Sequence, residues 1–185
     1  ELGPQGRHVY NSSYLFGPDG LVIGAQDKVE LIELEAAGAL DLTAGSPAGL
    51  QVFATEVGRV GIAICLDAFS EEVIARLAGQ GAQILVQPSA NPGVWNEWQQ
   101  TDWLRSSFTR VAVEGRFPYA VNPMLTGALW DVEFLGQSAL VARDAGEAAH
   151  GYRDLAPMPG FLRVAGSDRS EEILVAAVPH PDSTG

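Results

Sequence analysis

The sequence is organised around the segment Gly58-Arg-Val-Gly-Ile-Ala-Ile-Cys-Leu-Asp67. Residues 60–64 of this segment are apolar on both faces, which is typical of a central β-strand that is covered on both sides. The apolar pattern ends at Cys65, and Leu66 and Asp67 follow it. The segment therefore predicts a buried strand that carries a cysteine and an acidic residue at its carboxyl end.

The residues that follow predict a βαβ unit. Ser70 is suited to cap a helix, and the apolar residues between positions 73 and 78 recur at helical spacing until Gly79 and Gly81 end the pattern. A second buried strand, Gln83–Gln87, comes next and is closed by Pro88. Ligands of open α/β sheets bind at the carboxyl ends of the strands, so the junction of the first strand and its helix is expected to lie in a ligand site.

Two β-hairpins are predicted before this unit. In the first, Ser13–Phe16 and Leu21–Ile23 are joined by a Pro-Asp-Gly turn, and the return strand runs on to Lys28. In the second, Gln51–Thr55 pairs with the central strand through a turn at Val57–Arg59. Residues 30–49 predict a loop with at most one helical turn, because Gly and Pro interrupt any periodicity. A lysine at a strand end is well placed for a site.

After the βαβ unit, the pattern predicts one long helix and three more strands. The helix extends from Trp98 to Val111, and Trp98 is expected to begin its buried apolar stripe. The strands are Pro118–Asn122, Ser138–Arg143 and Ile173–Val178. The predicted fold class is therefore α/β with strand hairpins, in a single domain over residues 1–185 with a tail at residues 179–185.

The composition excludes several classes of function. The 185 residues include 11 Lys and Arg against 23 Asp and Glu, which gives a formal net charge of −12. This charge disfavours a nucleic-acid-binding surface and a polybasic membrane anchor, and no apolar run is long enough to span a bilayer. The single cysteine excludes an intrachain disulfide and a multi-cysteine zinc site, and it fits a cytoplasmic protein. Neither a metal nor a cofactor is indicated.

Cys65 and Lys28 are the residues best suited to chemistry. A lone cysteine after an apolar strand is often a small buried hydrophobic residue, but backbone N–H groups at a strand-to-helix turn also stabilise a thiolate and an oxyanion. A lysine at a strand end is often a solvated surface residue, yet beside a thiol it lowers the thiol pKa. The pattern alone leaves both interpretations of each residue open.

Several motifs occur in an order that is found in a known family. They are Gly58–Asp67, Gly81–Ala90, Arg110–Glu114 with Tyr119 and Asn122, Gly136–Ser138 and Asp144–Gly146. In this order they resemble the nitrilase superfamily of carbon–nitrogen hydrolases over about Tyr10–Val178, with Gly58–Asp67 as the nucleophile segment. Lys28 falls at the place of the family's lysine.

The resemblance implies a nitrilase-like αββα sandwich and a Cys–Lys–Glu site. By this resemblance Cys65 is the nucleophile, and Lys28 together with the backbone N–H of Leu66 holds the oxyanion. Glu35 is the expected second glutamate, and Glu33 is the alternative. Such a site attacks an amide carbon with the thiol, forms a thioester and releases it to water.

The resemblance also implies a class of substrate. Leu66-Asp67 after the cysteine resembles the amidase and carbamoylase branches, whereas members that cleave nitriles carry Trp-Glu there. A small linear amide or a related molecule is therefore the expected substrate. Leu66, Asn91 and Trp95 are the expected substrate-binding residues, with packing of the helix onto the sheet as the alternative for Trp95. A homodimer or larger homo-oligomer is the implied assembly.

The general-base glutamate of the family lies well upstream of the lysine and has no convincing counterpart. Glu1 lies at the terminus and Asp19 lies in a tight turn. We therefore expect the chain to be the C-terminal two-thirds of such a hydrolase, inactive by itself, with an N-terminal fragment as a candidate partner. The alternative is a catalytically inactive relative that serves as an oligomerisation or binding module. A thiol-redox protein is disfavoured because the sequence contains no resolving cysteine.

Overall fold

The computed structural model describes residues 2–3 and 6–183 and contains a central six-stranded sheet. The strands of this sheet are β5 (Val52–Thr55), β6 (Gly58–Ile62), β7 (Ile84–Val86), β8 (Tyr119–Asn122), β11 (Ala139–Ala142) and β12 (Phe161–Val164). Their order across the sheet is β12-β11-β8-β7-β6-β5. The three central strands β6, β7 and β8 run parallel, and the remaining pairs are antiparallel.

Three two-stranded hairpins and several helical segments complete the described residues. The hairpins pair β1 (Leu2–Gly3) with β2 (Gly6–Arg7), β3 (Ser12–Phe16) with β4 (Val22–Asp27), and β9 (Gly127–Leu129) with β10 (Val132–Phe134). The helices are α1 (Glu71–Gly79), α2 (Glu97–Trp103), the 3₁₀ turns Pro47–Gly49, Cys65–Phe69 and Pro181–Ser183, and the π-helical segment Thr109–Val113. Within this described part, no helix combines the length and apolar character needed to cross a membrane.

The predicted βαβ unit is confirmed as β6-α1-β7. The two strands are parallel, with Val60 opposite Ile84 and Ile62 opposite Val86. Helix α1 packs closely on β6 at Gly61, where an added Cβ would lie 3.4 Å from the Leu77 side chain of the helix and 3.1 Å from the Cβ of Ala82, which follows the helix. Glycine at this position therefore lets the helix approach the sheet. The Cys65–Phe69 turn follows the carboxyl end of β6 along the chain and leads into α1.

The central sheet is covered by different elements on its two faces. One face packs against α1, whose apolar residues Val73, Ile74 and Leu77 are fully buried. The other face carries Phe53, Val60, Ile62 and Ile64, against which Leu15 of the β3–β4 hairpin packs. The first predicted hairpin is thus confirmed, and its return strand ends at Asp27, directly before Lys28.

The prediction of one continuous helix over Trp98–Val111 is wrong. Helix α2 ends at Trp103, a turn follows, and helical geometry resumes as the π-helical segment Thr109–Val113. The expectation for Trp98 is also wrong, because that residue is 72% exposed and its neighbour Trp95 is 2% exposed. The face of α2 that packs on the core therefore differs from the face that the apolar spacing indicated.

The predicted strand Ile173–Val178 is also wrong. Its residues lie outside the strands, and Ile173 is 93% exposed. The position beside β11 is taken by β12, where Val164 lies opposite Ala139. The short hairpin β9–β10 was not anticipated either; its turn contains Trp130 in the left-handed conformation, with φ of 54°.

One local boundary differs from its prediction, and one predicted boundary is confirmed without a capping hydrogen bond. The turn of the second hairpin is at Glu56–Val57, since Gly58 already pairs with Thr55. Ser70 occupies the N-cap position of α1, but its side chain makes no capping bond. Its hydroxyl donates instead to the Glu30 carboxylate, at 2.8 Å.

Candidate active site

Cys65 begins the 3₁₀ turn that follows β6, and its backbone is in the left-handed region, with φ of 51°. A side chain in this region costs about 1–3 kcal/mol and persists where neighbouring contacts hold it. Here the Cys65 N–H donates to the Pro88 carbonyl at 3.0 Å, and the Gln87 side-chain amide donates to the Cys65 carbonyl at 3.0 Å. The strained residue is therefore fixed from the end of the neighbouring strand, and its thiol is partly accessible.

Lys28 directly follows strand β4 and is held in place by the β3–β4 hairpin. Its backbone N–H donates to the Asn11 carbonyl at 2.8 Å. Its side chain is only 2% exposed and forms an ion pair with Glu35. The candidate lysine is therefore a buried, oriented cation rather than a solvated surface group.

Glu35 is held by three partners. Beside Lys28, its carboxylate accepts from the Asn11 side-chain amide at 2.7 Å and from the Ile32 N–H at 3.0 Å. Burial opposes ionisation of this group, but the lysine and the two donors outweigh burial and lower the pKa of Glu35. Glu33, the alternative second glutamate, is exposed. Of the two candidates, Glu35 is the one that meets the lysine.

The electrostatic surroundings of the Cys65 thiol act in opposite directions. Burial has the largest effect and raises its pKa above the ordinary value. The positive charge of Lys28 and the N–H of Leu66 favour the thiolate, while the charge of Glu35 opposes it. The thiol is therefore mainly protonated at neutral pH, and Lys28 is the group that most strongly favours its ionisation.

A cavity of about 330 Å³ joins these residues. Its lining includes Lys28, Glu35 and Cys65, the polar residues Asn11, Ser12, Ser13 and Ser89, and the apolar residues Ile32, Leu34, Leu40, Ile64, Pro88, Ala90, Pro92 and Phe134. A volume of this size accommodates a small molecule. The three candidate catalytic residues thus share one cavity at the carboxyl end of β6.

Asn91 and Trp95 lie elsewhere. The Asn91 side chain is buried and donates to the Leu135 carbonyl at 3.0 Å. The Trp95 indole donates to Gln137 at 3.0 Å and packs edge-on against Tyr152. Neither is among the residues that line the cavity with Cys65. Trp95 therefore has the packing role that was its alternative interpretation.

Leu66, an expected substrate-binding residue, directly follows Cys65. Its N–H acts on the Cys65 thiol and lowers the pKa of that group, against the larger effect of burial. Its side chain contacts a separate depression formed with Glu30, Phe69 and Ser70. The two parts of this residue therefore face different surroundings.

Asp67 is the residue of the site to which the sequence assigned no role. Its side chain is fully buried, and its carboxylate accepts from the N–H groups of Val29, Glu30 and Ile64, at 2.7 to 3.3 Å. Burial is the dominant effect and raises its pKa to about 6. Asn11 was missed as well, since its contact with Glu35 spans 24 residues and has no local signature.

The family of the chain follows from a match over most of its length. The family model for carbon–nitrogen hydrolases matches residues 1–150. The chain belongs to the carbon–nitrogen hydrolase family. The match includes Lys28, Glu35 and Cys65, which the structure brings to one cavity.

Two relatives in this family are amidases. The omega-amidase NIT2 of Danio rerio is 32% identical over 89 residues, which cover 46% of this chain and 32% of that protein. The N-carbamoylputrescine amidase of Solanum tuberosum is 26% identical over 171 residues, which cover 90% of this chain and 54% of that protein. The chain thus spans about half the length, or less, of the curated relatives it matches.

Two solved structures share the fold. Nit3 of Saccharomyces cerevisiae, a member of branch 10 of the nitrilase superfamily, has a TM-score of 0.66 at 24% identity, over 92% of this chain and 54% of that one. A mutant of the amidase from Nesterenkonia sp. AN1 has a TM-score of 0.61 at 22% identity, over 76% of this chain and 51% of that one. That structure shows the acetamide moiety of fluoroacetamide added covalently at its active-site cysteine. These likenesses confirm a nitrilase-like α/β fold.

Proposed function

We propose that the chain carries the nucleophile and oxyanion half of an amidase site that cleaves a small linear amide or carbamoyl compound. The observation that carries this proposal is the cavity shared by Cys65, Lys28 and Glu35, which combines a thiol on a strained backbone with a buried cation. The amidase names of the relatives agree with it. A general base from a segment outside the described residues, as the family resemblance implies, completes the site.

The proposed reaction begins at the Cys65 sulfur. The general base takes the thiol proton as the sulfur attacks the amide carbon. The carbonyl oxygen takes the negative charge, and Lys28 and the Leu66 N–H stabilise that charge. Collapse of this intermediate breaks the C–N bond, the nitrogen takes the proton from the general base and leaves as ammonia or an amine, and a thioester remains on the sulfur. Water then adds to the thioester, which releases a carboxylic acid and restores the thiol.

The acylation half of this reaction is tested by single-turnover mass spectrometry. The chain is incubated with p-nitrophenyl acetate, whose good leaving group lessens the need for a general base, and the intact mass is followed. We expect one acetyl group on Cys65, no adduct in Cys65→Ala, and slower acylation in Lys28→Met.

Accessibility of the thiol is checked by alkylation with iodoacetamide. If Cys65 is alkylated readily but never acylated, the oxyanion site does not function and the amidase proposal is wrong. Ammonia release from simple linear amides, measured with and without a co-expressed upstream segment, then tests full turnover.

A second candidate function, a homo-oligomerisation module, is favoured by an apolar surface at the tip of the β3–β4 hairpin. A cavity of about 600 Å³ lies between this tip and the β5–β6 turn, and it is lined by Leu15, Phe16, Ile23 and Val57 among others. Phe16 is 59% and Val57 is 62% exposed, so the patch is available to a second copy of the chain. Light scattering of the chain and of Phe16→Ser tests it, and a concentration-independent monomer for both excludes this role.

A further inference from the structure

Asp67 connects the two parts of the candidate site. Its carboxylate accepts from Val29 and Glu30, which directly follow Lys28, and also from Ile64, which directly precedes Cys65. The shortest of these bonds is 2.7 Å, from the Glu30 N–H. One buried side chain thus bonds the backbone that carries the cation and the backbone that carries the thiol.

The burial of Asp67 makes these backbone groups depend on its carboxylate. The side chain is fully buried, so water does not compete for it. Buried backbone N–H groups that lose their acceptor each cost about 1–3 kcal/mol, which favours their movement toward another acceptor. Removing the carboxylate is therefore expected to displace the loop of Lys28 relative to the turn of Cys65.

We propose that Asp67 is a positioning residue that fixes the Lys28 ammonium relative to the Cys65 thiol. This inference rests on the proposed function, since it concerns the same nucleophile and cation. Lys28 is the charge that most favours ionisation of the thiol. Loss of Asp67 is therefore expected to make ionisation of the Cys65 thiol less favourable.

The direction in which the pKa of the Cys65 thiol changes when Asp67 is replaced distinguishes a positioning role from a direct effect of the Asp67 charge. Removing a negative charge near a thiol favours the thiolate, so loss of the Asp67 charge alone lowers the thiol pKa. Displacement of Lys28 has the opposite effect and raises it. Among the described residues, the charged groups around Asp67 include Lys28, the Glu30 carboxylate, which accepts from Ser70, and Arg110, which donates to the carbonyls of Ala68 and Phe69.

The test is the pH profile of iodoacetamide alkylation at Cys65, which is the only cysteine of the sequence and so the only thiol observed. We expect Asp67→Asn to raise the thiol pKa and to slow alkylation at pH 8 by about fivefold or more. Asp102→Asn, the same change at an exposed ion pair on α2, is the control and leaves the profile unchanged. An unchanged or lowered thiol pKa in Asp67→Asn overturns the proposal.

A measurement on the unaltered chain covers the case in which Asp67→Asn does not fold. The backbone amides of Val29, Glu30 and Ile64 share one acceptor, so their hydrogen exchange is expected to occur in a single opening with similar protection. Fast exchange of Val29 and Glu30 beside a protected Ile64 overturns the proposal. Neither measurement needs turnover, so failure of the amidase reaction and failure of the positioning role are distinguished.

Discussion

Lys28 and Glu35 form an ion pair in which the side chains are only 2% and 9% exposed. The two residues are separated by one short loop, and Asn11 from the preceding hairpin supports the carboxylate from the other side. A buried charge without its partner is costly, whereas an exposed ion pair contributes little. The ion pair therefore fixes the loop between positions 28 and 35, and it also fixes the position of the Lys28 charge in the cavity.

Replacing Lys28 by Met is expected to destabilise the fold by about 3–5 kcal/mol, because Glu35 then remains buried without its cation. Urea unfolding followed by circular dichroism measures the change. Arg105→Met removes a cation from an exposed pair with Asp102 and is expected to cost under about 1 kcal/mol. Equal losses in the two variants would contradict the buried-pair account.

Replacing Gly61 by Ala is expected to cost about 1–3 kcal/mol, because the new methyl group meets Ala82 at 3.1 Å and Leu77 at 3.4 Å. The helix must then move away from the sheet. Gly79→Ala is the matched control, since no neighbouring atom of the described residues lies within 4 Å of its Cβ position. Thermal denaturation compares them, and a Gly61 variant as stable as the Gly79 variant would show that the helix is not packed at this distance.

Replacing Cys65 by Gly is expected to give a more stable protein than replacing it by Ala, by about 1 kcal/mol. Both changes remove the thiol, but only glycine adopts a φ of 51° without steric cost. Denaturant unfolding of the two variants measures the difference directly. An alanine variant that is the more stable of the two would mean that the left-handed conformation is not retained in solution.

The raised pKa of Asp67 predicts a pH-dependent stability. The unfolded chain releases this proton near pH 3.8 and the folded chain near pH 6, so the folded state binds more protons in between. The free energy of unfolding therefore falls as pH rises from about 4 to 7, by about 3 kcal/mol at most from this group. Glu35 has a lowered pKa and acts in the opposite sense at more acidic pH.

Urea unfolding at about pH 4.5 and about pH 7 tests this dependence. Asp67→Asn is expected to flatten the change between these two values, since the titrating group is gone. A slope that is the same in both proteins would assign the dependence to other carboxylates.

The parts of the fold that local sequence determines were predicted correctly. The βαβ unit follows from apolar residues with strand and helix periods, and the structure places Val73, Ile74 and Leu77 of α1 in the core. The errors arise where tertiary packing decides. The run at Ile173–Val178 has strand composition but no position beside β11, which β12 occupies.

The candidate site was predictable only where a residue belongs to a motif. Cys65, Lys28 and Glu35 came from the family resemblance, and the structure gathers them in one cavity. The pattern left Trp95 open between a pocket role and a packing role, and its indole packs against Tyr152 in the core. The contacts of Asp67 could not be predicted, because its partners Val29 and Glu30 are 38 and 37 residues away along the chain.

The long separation between Asp67 and its partners has a consequence for the order of folding. Contacts within β6-α1-β7 are closer in sequence, whereas the bonds of Asp67 to Val29 and Glu30 close a loop that contains the whole β5–β6 hairpin and the segment that carries Glu35. Long loops close late because their closure entropy must be met before any contact forms. The sheet can thus assemble before the site does. A partly folded chain would then contain a native βαβ unit in which Cys65 is not yet close to Lys28.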